Sequence, residues 1–190
     1  MEITVMAVGP NAANCYIVEC AKKGIIIDPG SEGEAILDFV KTKGLEIEAI
    51  FNTHGHFDHI GANGIVAKAT LAPIYIHEAD GEMLTDGKKN LSSLVGLGDI
   101  TGPPADYTLV GGESLKIAGL EINVLHTPGH SQGCISLRIE DSLFTGDTLF
   151  AGSVGRTDFP GSSQEAMFNS LRKMITDLPP RWLSPSIFII

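Results

Sequence analysis

The sequence predicts a mixed α/β domain in which sheets are covered by helices. Three observations carry that expectation. Short alternating apolar runs recur through both halves of the chain, and stretches of helical spacing punctuate them. Glycine- and proline-marked turns close many of those runs. The length, 190 residues with 43% hydrophobic and 19% charged side chains, suits one domain with a sizeable core.

Residues 3–8 read as a strand, and residues 15–18 and 24–27 as two more, joined by the polar turn Ala21-Lys22-Lys23. Asp28-Pro29-Gly30 is turn chemistry. A helix is expected from Ser31, with Glu32 and Glu34 where its dipole favours acids. Its apolar face is Ala35, Ile36, Phe39 and Val40, and Gly44 closes it. Residues 47–51 form a short strand, 61–69 a helix of small residues, 73–76 a strand and 78–84 a short helix. Between residues 85 and 106 the pattern dissolves around Gly87, Gly96, Gly98, Gly102, Pro103 and Pro104, which marks a long surface excursion. Alternation returns in 114–117, 120–125, 134–139 and 142–144. Residues 164–175 are read as a helix with Ala166, Phe168, Leu171 and Ile175 on its apolar face.

Charge and cysteine content narrow the function. Thirteen basic against 23 acidic residues give a formal charge of −10, which argues against a nucleic-acid partner. No apolar run approaches the roughly 18 residues of a membrane span. The first ten residues hold Glu2 and no basic residue, unlike a secretory signal, so a cytoplasmic protein is expected. Cys15, Cys20 and Cys134 form no CxxC pair and are read as small buried thiols.

The chemistry is concentrated in Thr53-His54-Gly55-His56-Phe57-Asp58-His59, just after a strand. Imidazole and carboxylate suit zinc and iron. A tight loop lets His54 and His56 point to one metal, while Asp58 and His59 turn toward a neighbouring position. His126-Thr127-Pro128-Gly129-His130-Ser131 and Thr145-Gly146-Asp147-Thr148 also follow strands, so the three segments can converge at one edge. The two oxygens of Asp147 can bridge two ions. Other candidates have plainer readings. His126 is structural or orients a ligand, and His77 is a surface residue. Arg156 and Asp158 form a local ion pair, Cys134 is strand core, and Lys88 and Lys89 are solvated unless they meet an anionic substrate.

The HxHxDH run, the Thr-Pro-Gly-His turn and the Thr-Gly-Asp turn, in this order, resemble the metallo-β-lactamase superfamily. That resemblance covers residues 1–178 as one domain and implies a four-layer αββα sandwich with metals at one edge. It implies that His54, His56 and His130 hold a first metal, that Asp58 and His59 hold a second, and that Asp147 bridges. The segment from Phe150 to Gly161, with Arg156-Thr157-Asp158-Phe159, is similar to the single-domain glyoxalase II-like (hydroxyacylglutathione hydrolase-like) proteins. The implied activity is hydrolysis of a small-molecule thioester by metal-bound hydroxide, with Asp58 as the catalytic base and one or two zinc ions. Iron suits the same ligand types, and an iron-dependent persulfide (sulfur) dioxygenase of the same superfamily is the alternative. β-Lactam hydrolysis is disfavoured by the expected compartment. The family's last metal-ligand His, with its strand and closing helix, has no counterpart, because no His follows His130. Residues 179–190 read as an atypical tail, and the expectation is a weaker second metal site or a catalytically impaired metal-binding protein.

Overall fold

The computed structural model describes residues 1–177. The atypical tail, 179–190, lies outside them. The chain runs β1 (Glu2–Val8), β2 (Ala13–Cys20), β3 (Lys23–Ile27), α1 (Gly33–Lys43), β4 (Glu46–Phe51), α2 (Phe57–Ile60), α3 (Asn63–Thr70) and β5 (Ile74–His77). A 3-10 helix (Glu78–Leu84) leads into the long excursion, and β6 (Tyr107–Leu109) follows it. Then come β7 (Ser114–Ile117), β8 (Leu120–His126), β9 (Ile135–Ile139), β10 (Ser142–Phe144), the 3-10 turn Gly146–Thr148, the small hairpin β11 (Leu149–Phe150) and β12 (Ser153–Val154), and α4 (Gln164–Asp177).

The first six strands make one sheet in sequence order, and β7 to β10 make a second, wholly antiparallel one. In the first sheet β1, β2 and β3 pair antiparallel, whereas β3 to β6 run parallel. Successive side chains of a strand point to opposite faces. Thus Ile17, Ile26, Ile50 and Ile74 pack with Ile36, Val40 and Val66 of α1 and α3. Their neighbours Val18, Ile25, Ile27, Ala49 and Phe51 pack between the sheets on Ile122, Val124, Ile135 and Leu137. A sheet buried on both faces explains why β2 to β4 read as continuous apolar runs. On the outer face of the second sheet Met174 of α4 meets Leu143, Leu125 and Leu149. The result is the expected mixed α/β layering, helices outside two facing sheets. No helix of the described residues is long and apolar enough to cross a membrane.

Several local expectations are corrected. The helix expected from residue 61 is two, because α2 begins at Phe57 and the chain breaks at Gly61 and Ala62. There the Ala62 amide donates to the Pro29 carbonyl at 2.9 Å. Helix α1 starts at Gly33, and Ala35 of its expected apolar face is exposed. Gly33 is buried because a side chain there would meet Ile65 of α3. In α4 the buried residues are Met167, Ser170 and Met174, whereas Phe168 and Ile175 are 60% and 58% exposed. The helix packs on the stripe next to the one the spacing predicted. Gly129 fixes that rotation, since a Cβ on it would lie 2.5 Å from Met167 Cα.

Candidate metal centre

The site lies at one edge of the two sheets, where loops after β3, β4, β8 and β10 converge. At the end of β3 the backbone turns at Asp28, whose φ of 52° is left-handed. Its buried carboxylate accepts from the Thr53 amide at 2.7 Å and the Thr53 hydroxyl at 2.5 Å, which ties down the loop after β4. That loop delivers His54 and His56. The turn after β8 delivers His130, and donor nitrogens of these three buried histidines lie within 4.8 Å of one another. His130 Nδ1 lies 2.9 Å from the Arg156 carbonyl; as the donor in that bond, it leaves Nε2 as the acceptor, lone pair toward the cluster. That Nε2 is 2.8 Å from His56 Nδ1.

A second group is formed by Asp28, His54 and His59, again within 4.8 Å. His59 Nδ1 is 3.0 Å from Asp28 Oδ2, so Asp28 orients the ring from behind. Asp147 stands between the groups, one oxygen 3.3 Å from His59 Nε2 and the other 3.5 Å from His130 Nε2. One carboxylate thus faces both groups. Asp58 is half-buried in the cleft wall, where its Oδ2 accepts from Asn11 Nδ2 at 2.9 Å.

Burial, then the neighbouring His59, His56 and His130, hold His54 well below the usual imidazole range. Burial and the adjacent His130 and His59 push His56 down to about 3. Both rings are thus neutral near pH 7, the form that offers a lone pair to a cation. His59 behaves oppositely: burial opposes its charge, but Asp28 and Asp147 outweigh burial and hold it well above the usual range. Burial likewise opposes charge on Asp147, yet its bond to His59 and the surrounding histidines keep it below the usual carboxylate range. The fit of this pocket to a cation rests on His54. Its Nε2 is buried with no hydrogen-bond partner, an expensive arrangement for a polar atom unless something electron-poor faces it.

Two glycines permit the close approach. A Cβ on Gly155 would lie 1.8 Å from the Asp147 carbonyl oxygen, and one on Gly30 would lie 1.6 Å from the Asp58 carbonyl oxygen. The histidines open onto a cleft of about 560 Å³ whose walls include His56, Asp58, His130, Asp147, Phe159 and Leu91.

Sequence reasoning missed two supporting acids. In the sequence Asp28 shows only turn chemistry, and Asp80 carries no motif of its own. Asp80 is 1% exposed and accepts from the Gly55 amide at 3.0 Å, the Ser131 hydroxyl at 2.6 Å and the Gly133 amide at 2.8 Å. One carboxylate thus joins the loop of His54 and His56 to the turn of His130. His77, expected at the surface, is instead buried. It stacks on His126 with centroids 4.0 Å apart, and its Nδ1 accepts from the Ala79 amide, away from the cluster. Arg156 and Asp158 do form a two-pronged ion pair at 2.6 and 2.7 Å, with the guanidinium 4.1 Å over the Phe159 ring. Cys15 and Cys134 are buried as expected, whereas Cys20 is only half-buried.

The family model described as Metallo-beta-lactamase superfamily matches residues 8–186. The probable metallo-hydrolase YqgX of Bacillus subtilis is 38% identical over 180 residues, covering 94% of this chain and 85% of that protein. The hydroxyacylglutathione hydrolase GloC of Haemophilus influenzae is 31% identical over 182 residues, covering 94% and 86%. Among solved structures, the BLEG-1 B3 metallo-beta-lactamase superposes with a TM-score of 0.90 at 37% identity, covering 94% of this chain and 87% of that one. TTHA1623 in a di-iron-bound form gives 0.82 at 37% identity, covering 93% and 87%.

Proposed function

The chain belongs to the metallo-β-lactamase superfamily, and from that premise we propose that it is a metal-dependent hydrolase of thioesters. The observation that carries the reading is the buried triplet His54, His56 and His130, with an unpartnered His54 Nε2, beside a carboxylate that faces both donor groups. In this reading His54, His56, His130 and Asp147 hold the first ion, and Asp58, His59 and Asp147 hold a second. Zinc suits this donor set, and the di-iron relative keeps iron as the alternative metal. When bound, such an ion supplies Lewis acidity, making hydroxide available near neutral pH and polarising the scissile carbonyl.

The chain's own groups do the rest. Asp58, held by Asn11 in the cleft wall, orients and deprotonates the attacking water. Asp28 keeps the His59 ring in place, and the Arg156 carbonyl does the same for His130. Phe57, Phe159 and Leu91 line the cleft and limit its hydration. The GloC relative supports a thioester as substrate class. The Arg156-Thr157-Asp158-Phe159 run resembles the sulfur dioxygenases of the superfamily as well as the glyoxalase II-like proteins, and this keeps the persulfide dioxygenase as the second reading.

Elemental analysis of the purified protein and one thioester assay test the proposal. Chelator-sensitive turnover of S-lactoylglutathione is expected, with at least one tightly held ion per chain. Metal binding without any hydrolysis would overturn the hydrolase reading. Oxygen uptake with glutathione persulfide by an iron-loaded protein would replace it with the dioxygenase.

A further inference from the structure

One wall of the metal cleft is built from apolar side chains that the fold leaves exposed. Val95 and Leu97, from the long excursion between the Glu78–Leu84 helix and β6, are 54% and 52% exposed, and Phe150 of β11 is 39% exposed. All three line the same cleft as His56, His130 and Asp147, together with Leu91 and Phe159. Exposed apolar groups gathered inside a cleft, rather than scattered over a surface, mark a binding surface for an apolar group.

The charges of this wall point the same way. Its one cation among the described residues, Arg156, has both prongs committed to Asp158 and its plane laid over Phe159. The acids there are Asp58 and Asp147, which face the metal positions. Lys88 and Lys89 instead line a separate hollow of about 410 Å³ that meets the cleft at His56 and Leu91, and there Lys89 is already paired with Glu82. A carbonyl over the histidines therefore has two directions for its substituents. One is apolar, and the other carries the polar groups Lys88, Lys89, Glu82, Ser131 and Gln132.

We propose that the substrate is a thioester whose acyl part is an apolar chain, seated along Leu91, Val95, Leu97, Phe150 and Phe159, with its polar thiol part directed to the lysine hollow. The proposal rests on the hydrolase reading above and adds the substrate class. In the reaction water adds to the acyl carbon, a C–O bond replaces the C–S bond, and the thiol leaves carrying one proton from that water. Acyl length is then a determinant of specificity. A methylene wholly removed from water is worth roughly a fourfold gain in kcat/KM, and a partly covered one about twofold.

The test uses the full zinc-loaded chain and two series of thioesters. In one the thiol is fixed as N-acetylcysteamine and the acyl group runs from acetyl to octanoyl. In the other the acyl group is fixed as acetyl and the thiol runs from ethanethiol to octanethiol. The expected result is a rise in kcat/KM of roughly tenfold or more across the acyl series, through KM, and a flat thiol series. Val95→Asp and Leu97→Asp, both at exposed positions, are expected to abolish the slope. A slope in the thiol series alone, no slope in either, or a slope retained in both variants would overturn the proposal. Calorimetric titration with straight-chain carboxylic acids separates it from the parent reading. If no thioester is cleaved while the acids bind more tightly with length, the hydrolase reading falls and the apolar arm stands. If neither is seen, both fall.

Discussion

Replacing Asp80 tests how the two ligand-bearing loops are held together. In the native protein its carboxylate satisfies two buried amides and one hydroxyl, from Gly55, Gly133 and Ser131. Asp80→Ala removes the shared acceptor from a tightly packed place, where a Cβ on Gly133 would lie 2.6 Å from Asp80 Cγ. The Ser131 hydroxyl keeps a contact with Cys134 Sγ at 3.1 Å, so the full penalty falls on the two amides. Each stranded buried donor costs about 1–3 kcal/mol, so the two amides give a destabilisation of about 2–6 kcal/mol. For a domain of this size that lowers Tm by roughly 4–24 °C. Asp80→Asn keeps one oxygen but turns an amide NH₂ toward the Gly55 N–H, and about half the loss is expected. The assay is urea unfolding of the metal-free protein, followed by zinc titration against a chromophoric chelator. Weaker zinc binding should accompany the loss of stability, because His56 and His130 sit on the two loops that Asp80 joins. A metal-free Asp80→Ala protein within ~1 kcal/mol of the parent would refute the reasoning.

Two further outcomes follow from close contacts and burial. Gly155→Ala should weaken zinc binding about tenfold or more and cost about 1–3 kcal/mol, since its Cβ would meet the Asp147 carbonyl oxygen at 1.8 Å. Gly81→Ala, with open space at its Cβ, is the matched control and should leave both quantities unchanged; equal behaviour of the two variants would refute the steric argument. Iodoacetamide at pH 8 should label native Cys20 and spare Cys15 and Cys134, because burial raises both buried thiols, Cys134 to about 12, and so keeps them protonated and unreactive at that pH. Mass spectrometry reads the result, and an adduct on Cys134 before unfolding would contradict it.

The parts of this site that could be read in the sequence are those carried by consecutive residues. His54, His56, Asp58 and His59 stand within six positions, and His130 and Asp147 each sit in a turn with its own glycine signature. Asp28 and Asp80 escaped because their meaning lies in partners 25 to 53 residues away, across sheet edges that no local pattern encodes. The face of α4 was misread for a related reason. Met167 and Met174 share one stripe and Phe168 and Ile175 the next, and helical periodicity alone does not choose between stripes about 100° apart. The contact of Met167 with Gly129 makes the choice. His77 looked exposed because it closes a strand beside Glu78, and only stacking on His126 from the other sheet buries it.

Each sheet is drawn from an unbroken stretch of chain, the first from residues 2–109 and the second from residues 114–144. Strand pairing within a sheet can therefore precede the meeting of the two. The cluster cannot, since His54 and His130 are brought within reach only when both layers close on each other. A cation that binds only this closed state pulls the folding equilibrium toward it in proportion to its affinity and concentration. If the cluster takes an ion, metal supply would then act as a checkpoint on the closing of one sheet over the other.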